Sequence, residues 1–152
     1  MSSYLRQIAD ALAAGLQDVT WSIASTTVER KNWVSIDLDA MGEPVIFVTP
    51  GSAEVSRISR NVSQIDYEVS VFIGRHVQSD SEVDGMLDLA DEALLQVRSH
   101  DWSEAVVWPE GVTSPITVAI ELNPDDALSE RNAWRAVITA TYRVFSADQL
   151  PE

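Results

Sequence analysis

From position 65 to 73 the chain reads Ile-Asp-Tyr-Glu-Val-Ser-Val-Phe-Ile, with Ile65, Tyr67, Val69, Val71 and Ile73 separated by Asp66, Glu68 and Ser70. A helix returns its apolar positions every three or four residues, so strict period two over this length commits the fold to a sheet with one buried face. A second long alternation, Trp134, Ala136, Ile138, Ala140, Tyr142 and Val144, predicts another strand of the same kind. Around these two segments the rest of the chain must be arranged.

Residues 45–48 (Val-Ile-Phe-Val) follow the turn Met41-Gly42-Glu43-Pro44 and read as a short, buried strand. Hairpin loops usually hold about two to five residues, and the polar stretch from here to the 65–73 strand is much longer. It is predicted to be a projecting arm that carries Arg57 and Arg60 among the hydroxyls of Ser52, Ser56 and Ser59. With only Val55 and Ile58 to bury, residues 51–61 are expected to order on a neighbouring subunit rather than alone. Such an arm on a small sheet is a contact element, not a catalytic one.

Two helices complete the pattern. Leu5, Ile8, Ala9, Leu12, Ala13 and Leu16 repeat at three and four, with Ser2 or Ser3 as N-cap and Gly15 and Asp18 at the fraying end. The second helix opens at Ser79, with Glu82 three residues on as in a capping box. Its predicted buried stripe is Val83, Met86, Leu87, Ala90, Leu94 and Val97, and its outer stripe is acidic, with Asp84, Asp88 and Glu92 at intervals of four. Further strands are expected at residues 21–25 (Trp21, Ile23, Ser25), 33–38 (Val34, Ile36, Leu38) and 116–120 (Ile116, Val118, Ile120). The order is helix, three or four strands, helix, two strands. That predicts an α+β fold in which a small, mainly antiparallel sheet is packed by two helices.

At 152 residues the chain is expected to be a single domain with a real core, and a 45% hydrophobic content supports that. It has no cysteine, so neither a disulfide framework nor a thiolate metal cage is available. Arg6 and Asp10 interrupt the first apolar stretch, so no secretory leader is expected there. The formal net charge is −14, most of it in the second half. Nucleic-acid affinity comes mainly from Lys and Arg displacing counterions, so tight DNA binding is not expected.

The search for chemistry returns little. No nucleotide-binding glycine loop and no nucleophile elbow occurs. His76 and His100 stand apart after predicted element ends and read as solvated or capping residues. Asp37 and Asp39, and Asp125 and Asp126, have carboxylates suited to a divalent cation but lack the spaced oxygen ligands of a calcium loop, so they read as solvated turn acids. No enzymatic activity, cofactor or required metal is expected; a hydrolase using Asp37, Asp39 and His76 is the weakest alternative. Trp21, Trp33 and Trp134 belong to strand patterns and to the core. Trp102 and Trp108 lie in a loop, where a subunit contact is their best functional reading.

The order of an IADALAAGLQ helix, a strand ending in PVIFVTPGS, an arginine-bearing arm, a DYEVSVFI strand, a capped SEVDGMLDLADEALLQVR helix and a closing RAVITATYRVF strand resembles the tail-terminator (tail-completion) proteins of tailed bacteriophages. The resemblance rests on element order, not on a chemical motif. It implies a virion protein made in the host bacterial cytoplasm. Such proteins sit as a homo-oligomeric ring, commonly a hexamer, on the head-proximal end of the tail tube. There they end tube polymerisation and meet a neck or connector protein, and DNA passes through without being held. Related neck proteins of the stopper or adaptor level, and a small non-viral adaptor domain, remain as alternatives. The interface expected on this reading sets Arg57 and Arg60 of one subunit against Asp84, Asp88 and Glu92 of the next.

Overall fold

The computed structural model describes residues 3–32, 42–99, 106–122 and 133–147, and places the two long alternating segments side by side. The first belongs to strand β3 (Val62–His76) and the second to β5 (Ala133–Ala147), with β2 (Val45–Arg57), β1 (Thr27–Arg30) and β4 (Thr117–Leu122) around them. β3 and β5 are antiparallel from end to end, Val62 facing Ala147 and His76 facing Ala133. The five-stranded sheet has the order β1-β2-β3-β5-β4, and every pairing is antiparallel except β1 with β2. With helices α1 (Tyr4–Gln17) and α2 (Asp80–Arg98) it forms the α+β architecture that the alternations predict.

Each helix is fixed by its cap and its stripe. In α1 the Ser3 hydroxyl accepts the Arg6 amide at 3.1 Å, and Ile8, Ala9, Leu12, Ala13 and Leu16 are buried. Burying one such large aliphatic side chain stabilises by ~1.5–3 kcal/mol, so this stripe holds α1 on the sheet. Its outer side is tied down as well: Asp10 pairs with Arg30 of β1 at 2.9 Å, and the Gln17 amide donates to the Val28 carbonyl at 3.1 Å. In α2 the Ser79 hydroxyl accepts the Glu82 amide at 3.2 Å. The Glu82 carboxylate accepts the Gln78 amide at 2.9 Å and the Arg75 guanidinium at 2.7 Å, so this cap also locks the helix start to the end of β3.

The buried residues of α2 are Met86, Leu89, Ala90, Ala93 and Val97, with Val83 and Leu94 partly buried. Leu87, assigned to the stripe from sequence, is exposed, because the inward face centres on Met86, Ala90 and Ala93. One residue of offset turns a side chain by about 100° on a helix. Beneath the helices lie Ile46 and Val48 of β2, Val69, Val71 and Ile73 of β3, and the even-numbered residues from Trp134 to Val144 of β5. On the opposite face Phe47, Phe72 and Ala133 make a small second cluster, with the Lys31 ammonium 4.8 Å from the Phe47 ring centre.

Residues 21–25, expected as a strand, are a series of bends leading into β1. Trp21 is buried and Ile23 packs against the core, so the alternation is real, but it comes from two side chains dropping inward off an irregular chain. The Ser22 amide, which a ladder would have used, is held at 2.9 Å by the Glu92 carboxylate of α2. The strand expected at residues 33–38 lies outside the described residues.

Candidate assembly surface

The polar stretch expected as a projecting arm is strand as far as Arg57. β2 continues past Val48 and stays paired with β3 until Arg57 faces Ser63. This is possible because β3 offers a continuous row of backbone groups, and pairing with it satisfies donors and acceptors that a loop would leave to water. A bulge between Pro50 and Ala53 inserts one extra residue into β2. At Gly51 a Cβ would lie 2.6 Å from the Glu68 carbonyl oxygen, so the bulge requires a residue with no side chain. The hairpin closes where the Ile58 and Ser59 amides donate to the Val62 carbonyl at 3.1 and 3.2 Å.

The projecting arm is thereby corrected. β5 accompanies β3 as far as Ala147, so the feature is the far end of the sheet itself, three strands wide. Residues 53–57 are paired with β3 in the single chain, yet every residue from 51 to 57 is exposed.

Arg57 and Arg60 stand at this tip, Arg57 as the last residue of β2 and Arg60 in the turn, both exposed. Arg57 faces Ser63, which shares the strand face of Val69 and Val71, so its side chain rises from the face that the helices cover. Asp84 and Asp88 are exposed on α2. Glu92, third in that stripe, is half-buried and holds the Ser22 amide, so its carboxylate already has a structural task. α2 packs over α1, β4 and β5, away from the end of β2. The arginines and the acids therefore occupy separate parts of one subunit.

On the other face of the tip, Arg143 of β5 makes a two-pronged pair with Asp66 of β3, at 2.9 and 3.1 Å. The guanidinium holds the Asp66 carboxyl below the usual carboxylate range, against partial burial, which pushes it up. The pair floors a polar depression of about 300 Å³ rimmed by Ser52, Glu54, Glu68, Thr117 and Thr141. This cross-strand pair was legible as opposite charges on the polar faces of two alternating segments, but only once their register was known. Apolar side chains are also bare here: Val55 is 65%, Ile58 55% and Phe145 61% exposed.

His76 ends β3, and its Nδ1 is buried with no hydrogen-bond partner among the described residues. Asp37, Asp39, His100, Asp125 and Asp126 lie outside the described residues, as do Trp33 and Trp102. Among the described residues no group of three His, Asp or Glu side chains is placed to hold a metal, and no helix is long and apolar enough to cross a membrane. Trp108 is half-buried against the core, its ring 5.6 Å from that of Tyr142, whose phenol burial pushes well up.

No family model matches the sequence, and no curated protein matches it. The fold is similar to that of a solved chain from the virion of a native gene transfer agent particle, with a TM-score of 0.56 at 9% sequence identity. That likeness covers 96% of this chain and 100% of the other.

Proposed function

We propose that this protein is a structural virion component of the tail-terminator type. In this reading it forms a homo-oligomeric ring, a hexamer, at the head-proximal end of a phage-like tail tube, ends tube growth and joins tail to neck. The observation that carries it is the end-to-end likeness in fold to a chain of a gene transfer agent virion. The element order that resembles the tail-terminator family supports the finer role.

Function on this account is contact rather than catalysis, with no cofactor and no metal. The partners are further copies of the chain, the tube protein and a neck protein. A subunit of net charge −14 has a field that keeps phosphate at a distance, which suits a ring that DNA must cross without adhering. Arg57 of one subunit would meet Asp84 and Asp88 of the next, fixing register more than adding affinity, since exposed pairs contribute ~0–1 kcal/mol each. A neck ring of the stopper or adaptor level is the second reading, favoured by the same fold.

Electron microscopy of particles with and without this chain tests the proposal. A ring of copies at the head-proximal end of the tail, and tails of uncontrolled length in its absence, is the expected result. A single off-axis copy, or normal tails in its absence, would contradict it.

A further inference from the structure

The outer face of α2 and the tip of the sheet carry similar patterns of opposite charge. On a helix, steps of three and four residues stay on one face. Asp84, Asp88, Asp91, Leu95 and Arg98 follow that spacing, with Leu87 alongside. All six are exposed, opposite the buried Met86, Ala90, Ala93 and Val97. Glu92 turns aside to hold the Ser22 amide, so Asp91 takes the outer place that sequence spacing gave to Glu92. Leu87 and Leu95 are about 12 Å apart along the helix axis. Each has an exposed charge three residues beyond it, Asp84 before Leu87 and Arg98 after Leu95.

At the tip, Val55 faces Ile65 and Arg57 faces Ser63, on the strand face that also carries Val69 and Val71. Ile58 and Arg60 follow, and all four side chains are exposed. In extended chain Val55 and Ile58 are about 10 Å apart, close to the spacing of the two leucines. Arg57 lies between them and Arg60 beyond. Arg57 already interacts within its own subunit, so the charge match rests on Arg60.

We propose that the tip of one copy lies along the outer face of α2 of the next, its turn toward the helix N-terminus. Val55 then packs on Leu95, Ile58 packs on Leu87, and Arg60 pairs with Asp84. Arg57 lies over Asp88 and Asp91. The reverse orientation would set Arg60 beside Arg98 and leave Asp84 unmatched, so the end charges fix the direction.

The occupant is a second copy on grounds of charge. Two α2 faces brought together would oppose Asp84, Asp88 and Asp91 to their own kind, and copies of net charge −14 repel in general. A contact between copies therefore needs bases in one place. Arg30, Arg75 and Arg143 are committed within the subunit, to Asp10, Glu82 and Asp66 at 2.9, 2.7 and 2.9 Å. The tip brings two exposed arginines together, flanked by the apolar side chains that Leu87 and Leu95 would cover. α2 packs over α1, β4 and β5, away from the tip of its own subunit, so the match is made between copies. A contact of this head-to-tail kind closes into a ring when the copies are related by rotation without rise.

This joint rests on the ring proposed above, and cross-linking tells the failure of one from the failure of the other. The chain has no cysteine, so Val55→Cys with Leu95→Cys introduces the only thiols, both at exposed positions. In assembled particles, a thiol-to-thiol linker shorter than the ~12 Å between Leu87 and Leu95 should join the copies into a ladder. The ladder should end in one closed species larger than a dimer. Val55→Cys with Leu87→Cys matches only the reverse orientation and should give about a tenth of the product or less; more product from this pair than from the first would overturn the proposal. Arg60→Glu should raise the concentration needed for assembly about fivefold, and adding Asp84→Arg should restore it. Particles that show a ring by electron microscopy, with no cross-linking by either pair, would overturn the joint and leave the ring standing. Cross-linked dimers and nothing larger would keep the contact and overturn the ring. Neither ring nor cross-linking would overturn both.

Discussion

The two ends of the same three strands make opposite use of their surroundings. Toward His76 and Ala133, β2, β3 and β5 lie under both helices, and Ile46, Val71, Ile73 and Trp134 are sealed from solvent. Toward Arg57 and Val62 the ladder goes on without cover, and residues 51–57 are all exposed. β2, β3 and β5 pair with one another in both halves, so that ladder alone does not account for stability. The covered half holds the fold, and the bare half presents exposed apolar side chains and two arginines to whatever comes next. A protein that only needed to fold would have stopped its strands where its helices stop.

The sharpest way to break this contrast is to cut into each half and compare. Trp134→Ala, in the covered half, should cost about 3–5 kcal/mol in denaturant unfolding. Val55→Ala, in the bare half, should stay within ~0.5 kcal/mol. Similar losses from the two would mean that the tip is core after all. Gly51→Ala sits at the boundary. Its Cβ would meet the Glu68 carbonyl at 2.6 Å, so a cost of about 1–3 kcal/mol is expected, with hydrogen exchange accelerated beyond the bulge and unchanged beneath the helices.

Acid sharpens the contrast in the same direction. The Asp66 carboxyl titrates lower folded than unfolded, so it contributes stability above the ordinary carboxylate value of ~3.9. That contribution is lost as pH falls through its depressed folded value. Protection from exchange, taken relative to the intrinsic rate at each pH, should therefore fall at the tip in acid before it falls under the helices, and Asp66→Asn should abolish the difference. Least of all on stability, Arg57→Glu with Arg60→Glu should shift unfolding by no more than ~0.5 kcal/mol. The same variant should lose ring assembly, and Asp84→Lys with Asp88→Lys should partly restore it. A double-glutamate protein that assembles normally would remove the arginines from the interface.

What was legible in the sequence divides along the same line. β3, β5 and both helix caps are readable because their side chains face a core, and burial imposes a period. The tip was not readable as strand because nothing buries it. β2 beyond Val48 carries Pro50, Gly51 and Ser52, and the extra residue at the bulge shifts the phase, so Ala53, Val55 and Arg57 no longer alternate in step with Ile46 and Val48. Pairing there is imposed by β3, a tertiary cause that leaves no local mark. The bends at residues 21–25 mislead for the converse reason, since Trp21 and Ile23 face inward without a ladder. Arg57 and Arg60 stood out by charge alone, whereas the pair of Asp66 with Arg143 emerges only from the register of β3 and β5.

Amide hydrogen exchange at Ala53 and Val55, compared between the dispersed subunit and the assembled particle, tests most directly that the bare half is the assembly surface. The Ile58 amide donates to the Val62 carbonyl, so by alternation the amides of Ala53 and Val55 point away from β3, where no described residue pairs with them, and they should exchange rapidly in the subunit. They should slow strongly on assembly, while Leu12, Val71 and Ile138 stay slow in both states. Equal rates at these two amides before and after assembly would contradict the account.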